Sequence, residues 1–137
     1  MRPILKFRAV SFTLLTVFLV GGFWTCLSAP LPQTGAAVTV KMTADHMFDP
    51  DKVTIKVGDS VEWINTEDSG LHQVTNDPKF ASDPDDVSGP DGSQPFNSKS
   101  ITGGKSYIQK FTVPGVYKYT CPPHEMDGIN GQVTVTQ

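Results

Sequence analysis

Cys121 and His124, written Cys121-Pro122-Pro123-His124, carry the donor atoms of a soft metal site: a thiolate and a neutral imidazole separated by two residues. Three residue steps span at most about 10 Å, so both side chains can reach one ion if the backbone between them turns. The two prolines favour that turn. Each fixes φ and removes a backbone donor, which stiffens the segment and keeps it out of a sheet ladder. Donors of this kind are scarce, since the chain has two cysteines, Cys26 and Cys121, and three histidines, His46, His72 and His124.

Cys26 lies in a segment that reads as a targeting signal. Arg2, Lys6 and Arg8 precede an apolar stretch from Ala9 to Trp24, followed by small residues around Ser28 and Ala29. This is the layout of a secretory signal over residues 1–29, with cleavage expected after Ser28, after Ala29 or near Ala36. Left uncleaved, the same stretch is long enough to anchor the chain in a membrane, for which about 17 to 25 residues suffice. Either outcome places the folded part in the periplasm or another extracytoplasmic space. An unpaired Cys121 is a liability in an oxidising compartment, so ligation explains it better than a disulfide. The alternative is an inert, buried thiol.

Residues 30–36 read as a short linker and 37–137 as a single small domain with a modest core. Loss of Arg2, Lys6 and Arg8 leaves 8 basic residues against 14 acidic ones and moves the formal charge from -3 to -6. That balance excludes phosphate-neutralising patches, and with them nucleic acid. It suits solubility or a positively charged protein partner.

The apolar periodicity is two. Alternation runs through 37–43, 53–57, 61–65, 72–76, 105–112, 116–121 and 132–136, all rich in Val, Thr, Tyr and Ile. Asp49-Pro50-Asp51, Gly58-Asp59, Asp68-Ser69-Gly70, Gly103-Gly104 and Pro114-Gly115 punctuate them. Short strands with no helix between them predict an all-β antiparallel sandwich or barrel. From Asp77 to Pro95 the pattern gives way to a long loop rich in Pro, Gly, Ser and Asp. Its acidic run lacks the spacing and the closing Glu of a calcium loop, so it reads as solvated chain.

His72 opens one alternating segment and Cys121 closes another, and antiparallel neighbours bring such ends to the same edge. Two imidazoles and a thiolate then form the trigonal set associated with electron-transfer copper. His46, beside the first turn, reads as a surface or packing histidine. Glu125 and Asp127 read as solvent-facing loop carboxylates.

In this arrangement the chain resembles the cupredoxins, the small blue copper proteins, and within them the plastocyanin-like group. The resemblance is carried by Phe48-Asp49-Pro50, by Val53-Thr54-Ile55-Lys56-Val57-Gly58-Asp59 leading to Val61-Glu62-Trp63-Ile64-Asn65, and by His72. Phe96-Asn97-Ser98, the run Pro114-Gly115-Val116-Tyr117-Lys118-Tyr119-Thr120-Cys121, His124 and Gly131-Gln132-Val133-Thr134-Val135 complete it. It implies a Greek-key β-sandwich holding one copper ion that cycles between Cu(I) and Cu(II), with His72, Cys121 and His124 as equatorial ligands.

Three departures from that family bear on function. Plastocyanin-like members place a methionine five residues after the second histidine, where this chain has Ile129. Ile129 is read as non-ligating and packed over the axial face, with Met126 as the less favoured fourth ligand and otherwise exposed. Loss of a thioether donor is expected to raise the reduction potential. Gln73 replaces the asparagine that commonly braces the copper loops, and Thr120 replaces the aromatic that precedes the cysteine in plastocyanins. Electron exit is therefore expected at the edge of His124, within an apolar rim of Leu71, Pro123, Met126 and Ile129 where redox partners dock. The function expected is single-electron shuttling by a monomer, without catalysis. The alternatives are a copper enzyme with an open axial position and a copper carrier or storage protein.

Overall fold

The computed structural model describes residues 36–137. The signal or anchor reading of residues 1–29, with Cys26, lies outside the described residues, as does all of the 30–36 linker but Ala36.

Six of the seven alternating runs form strands, whereas 72–76 is strand only at His72, which ends its strand instead of opening it, with isolated bridges at Thr75. In chain order the strands are β1 (Val38–Thr43), β2 (Met47–Asp49), β3 (Lys52–Lys56), β4 (Ser60–Asn65), β5 (Leu71–His72), β6 (Ile101–Thr102), β7 (Ser106–Lys110), β8 (Gly115–Thr120) and β9 (Asn130–Thr136). They assemble into a four-stranded sheet, β2-β1-β4-β7, a three-stranded sheet, β3-β9-β8, and the small β5-β6 pair. β3 shows why the two larger sheets face each other: Val53 and Ile55 are buried while Lys52, Thr54 and Lys56 are exposed, so one face must be covered. Val61 and Trp63 of β4, Tyr117 and Tyr119 of β8, and Val133 and Val135 of β9 supply the opposing core residues. The architecture is a Greek-key β-sandwich.

The expectation of purely antiparallel sheets is corrected. β1 pairs with β4 in parallel, and β3 with β9 in parallel. The chain leaves the first sheet after β2, contributes β3 to the second, and returns as β4, so β4 runs alongside β1 in the same direction. Alternation reports which face is buried and carries no sign of strand direction.

Two features of this framework position the site. The first is a three-residue hairpin loop, Ala44-Asp45-His46, closing the β1–β2 pair with Thr43 opposite Met47. His46 donates its backbone N–H to the Thr43 carbonyl at 3.0 Å and adopts φ +52. The third residue of such loops is commonly left-handed, a conformation that costs a side chain about 1 kcal/mol and that glycine adopts freely. The second is Asn65, fully buried at the end of β4. Its Nδ2 donates to the carbonyls of Gly70 at 3.1 Å and Ile101 at 3.0 Å, while its Oδ1 accepts from the Glu67 N–H at 3.0 Å. One amide thereby ties the turn that precedes His72 to β6.

The 77–95 segment is a loop, as its composition predicts, with a single 3-10 turn at Pro84–Asp86 and one bridge from Ser88 to Lys118.

Candidate metal centre

β5 ends on His72, and the backbone beyond it is pinned to the strand that carries Cys121. Thr75 and Thr120 exchange hydrogen bonds, N–H to O=C, at 3.1 and 2.9 Å. The chain then leaves β8 at Cys121 and enters a tight 3-10 turn, Pro122–Asp127, in which the His124 N–H donates to the Cys121 carbonyl at 2.8 Å. Gly128, with φ +81, closes that turn. The prolines at 122 and 123 begin the turn and supply no donors that would go unpaired.

The three residues singled out by type and spacing meet. Cys121 Sγ lies 3.6 Å from His72 Nδ1 and 3.6 Å from His124 Nδ1. One donor atom from each lies within 4.8 Å of the others, and among the described residues no other group of three His, Cys, Asp or Glu side chains does so. Donors each about 2.0 to 2.3 Å from one ion, at trigonal to tetrahedral angles, are separated by distances of this size. His72 and Cys121 are fully buried and His124 is half-buried.

A thiolate with two neutral imidazoles is the donor set that suits copper. Burial pushes the Cys121 thiol up, against the backbone N–H groups of Gln73 and His124 that stabilise its anion. The metal must therefore displace a proton from sulfur, and loading is favoured as pH rises. Burial, with His46 and His72 alongside, pulls His124 down and so favours its neutral form.

Residues that sequence reasoning missed complete the frame. Glu67 Oε1 sits 2.6 Å from His72 Nε2 and accepts its N–H, which leaves Nδ1 as the free donor and holds the ring plane. A side chain at Gly70 would collide with that carboxylate, and only its displacement from His72 would make room. Only proximity in sequence to His72 hinted at Glu67, and an acidic residue in a turn is ordinary.

Gln73 braces the site in two ways. Its backbone N–H donates to Cys121 Sγ at 3.3 Å, and its side-chain amide donates to Asn97 Oδ1 at 2.8 Å, joining the His72 segment to the loop before β6. Thr120 is buried and its hydroxyl donates to the Ile129 carbonyl at 3.1 Å. Met126 is fully exposed and Ile129 is buried in the core. Ile129 therefore leaves the apolar rim, whereas Leu71 and Met126 are exposed large apolar side chains and Pro123 is exposed beside them.

Glu125 is corrected from a solvent-facing carboxylate to a buried one. Its oxygens accept the backbone N–H groups of Ser82 at 2.6 Å and Asp83 at 3.0 Å, so it fastens the long loop to the metal-bearing turn. Asp127 is exposed, and its Oδ2 lies 2.8 Å from His46 Nδ1. His46 is a packing histidine, but its ring lies against the site itself. It stacks on His124 with centroids 3.8 Å apart and planes 17° from parallel.

Residues 36–136 match the model of the copper binding proteins of the plastocyanin/azurin family. This chain belongs to that family. It is 35% identical over 104 residues to plastocyanin of Scenedesmus fuscus, covering 72% of this chain and 98% of that protein. To plastocyanin of Prochlorothrix hollandica it is 33% identical over 123 residues, 87% of this chain and 86% of the relative. An oxidized amicyanin variant is similar in structure, with a TM-score of 0.56 at 28% identity over 73% of this chain and 82% of that one. These relatives are electron carriers rather than enzymes.

Proposed function

We propose that His72, Cys121 and His124 hold one copper ion and that the chain shuttles single electrons between protein partners outside the cytoplasm. The convergence of the two Nδ1 atoms on Cys121 Sγ, each at 3.6 Å, carries this reading. Copper bound there would supply one-electron chemistry between Cu(I) and Cu(II). The chain supplies rigidity: Glu67 fixes the His72 ring, the Gln73 N–H points at sulfur, and paired threonines lock the two backbones together. A site whose donors are already in place needs little rearrangement when its charge changes.

His124, half-buried, is the route by which electrons enter and leave. Leu71, Pro123 and Met126 around it form the contact area for a transient redox partner, and the chain works as a monomer. Met126 is wholly exposed, which favours Ile129 as the non-ligating neighbour of the axial face. The extracytoplasmic location rests on the signal pattern of residues 1–29. The test is voltammetry of the copper-loaded mature protein together with stopped-flow oxidation by a small cytochrome. Reversible one-electron waves and rapid bimolecular transfer are expected. Slow transfer combined with fast stripping of Cu(I) by a chelator would mark a carrier instead.

A further inference from the structure

His46 occupies a position that its own backbone does not favour. Its φ of +52 suits glycine, yet a bulky imidazole stands there, at the tip of the β1–β2 hairpin. That ring makes two contacts, one at its edge and one on its face. Asp127 Oδ2, from the far end of the metal-bearing turn, holds its Nδ1 at 2.8 Å. His124 receives its face at a centroid distance of 3.8 Å and an interplanar angle of 17°. His72 lies further off, edge-on at 6.4 Å.

The surroundings show what lies beside the stack. A cleft of about 580 Å³ opens beside the hairpin, walled by Asp45, His46, Phe48, Asp127 and Ile129 among others, and His124 does not line it. His46 lines that water-accessible space and also lies against the His124 face. The turn bearing His124 departs from helical geometry at that residue, with φ -127 and ψ 17, while its N–H still donates to the Cys121 carbonyl at 2.8 Å.

We propose that His46 is a positioning residue for the copper site: anchored by Asp127, its ring clamps His124 in the ligating plane and shields it from the cleft. This rests on His124 being a copper ligand. A stacked ring restricts rotation before metal arrives, which lowers the ordering needed on binding. Excluding water from one ligand face makes the surroundings less polar and disfavours Cu(II) relative to Cu(I). No proton transfer at His46 is required.

The test compares the full chain with His46→Gly, His46→Phe and Asp127→Ala, reading Zn(II) affinity by competition and copper reduction potential by voltammetry. Glycine relieves the left-handed backbone, so the metal-free protein should keep its thermal midpoint while losing the clamp. Zn(II) binding by His46→Gly should weaken roughly twofold to tenfold, the range of a stacked pair, and its potential should fall. Phenylalanine restores the stack without the Asp127 bond, so both readings should recover most of the way from glycine toward the parent. Asp127→Ala should shift both in the glycine direction by a smaller amount.

The proposal is overturned if His46→Gly matches the parent in both readings, or if His46→Phe is as impaired as glycine. Should glycine lower the metal-free midpoint, the phenylalanine variant decides by the same criterion. If the parent itself shows no thiolate-to-copper charge transfer, the ligand reading fails and the clamp with it. A blue parent with indistinguishable variants removes the clamp alone.

Discussion

His72 and His124 present Nδ1 atoms to the same sulfur at the same distance, 3.6 Å, yet opposite means hold them there. His72 is wholly buried at the end of a strand, its Nε2 bonded to Glu67, its neighbour Gln73 bonded to Cys121 and Asn97. His124 is half-buried on a short turn, supported by the His46 stack on one side and by the buried Glu125 next to it. One ligand belongs to the sandwich and the other to a loop fastened against it. A carrier needs both: a flank that fixes geometry and a flank near enough to the surface for an electron to cross.

The sharpest way to break that comparison is to remove each ring in turn. His72→Gly should abolish the charge-transfer band of the copper protein, and added imidazole should fail to restore it because no path leads to a fully buried site. His124→Gly should also lose the band, but imidazole from solution should bring it back. Equal rescue of both variants, read by visible absorption, would show that the two flanks are equally open.

A smaller effect is expected at Glu67. Glu67→Gln keeps a hydrogen-bond acceptor for His72 Nε2 but removes the charge that makes the ring a better donor. Copper affinity measured by competition should fall about tenfold, within the usual range for such carboxylates, and the reduction potential should rise. An unchanged affinity would mean that burial alone fixes the His72 flank.

Ile129 and Met126 test the face that neither imidazole covers. Ile129→Met should lower the potential by roughly 60 mV, a tenfold change in a one-electron equilibrium, while Met126→Ala should leave it unchanged. The reverse pattern in voltammetry would make Met126 the fourth ligand despite its full exposure.

The smallest change concerns the loop flank. Glu125→Gln replaces one of the two accepting oxygens with an NH2 that cannot accept, so one bond to the backbone of Ser82 or Asp83 is lost at a cost of about 1 to 3 kcal/mol. For a domain of this size that lowers the thermal midpoint by several degrees. The position of the copper band should move little.

The difference between the flanks also explains what could be read from the sequence. Cys121, His124 and the turn-forming prolines advertise themselves because their types and spacing are unusual, and alternating apolar runs marked the longer strands. β2 and β6, of three and two residues, are too short for any period to register. The parallel β1–β4 and β3–β9 pairs escaped because alternation has no direction. The contacts of Glu67, Asn97 and His46 at the site escaped for a related reason. Each residue acts through a contact made by the fold, from a turn or hairpin tip, and an acid, an amide or an imidazole in a loop has no pattern of its own.

The central claim is that one sulfur and two imidazoles grip a single copper ion. Its most direct test is to add Cu(II) to the purified mature protein and record visible and electron paramagnetic resonance spectra together. An intense thiolate-to-copper charge-transfer band with unusually narrow copper hyperfine splitting is expected, both lost in Cys121→Ser. Weak absorption and the wide splitting of ordinary tetragonal copper would contradict the account.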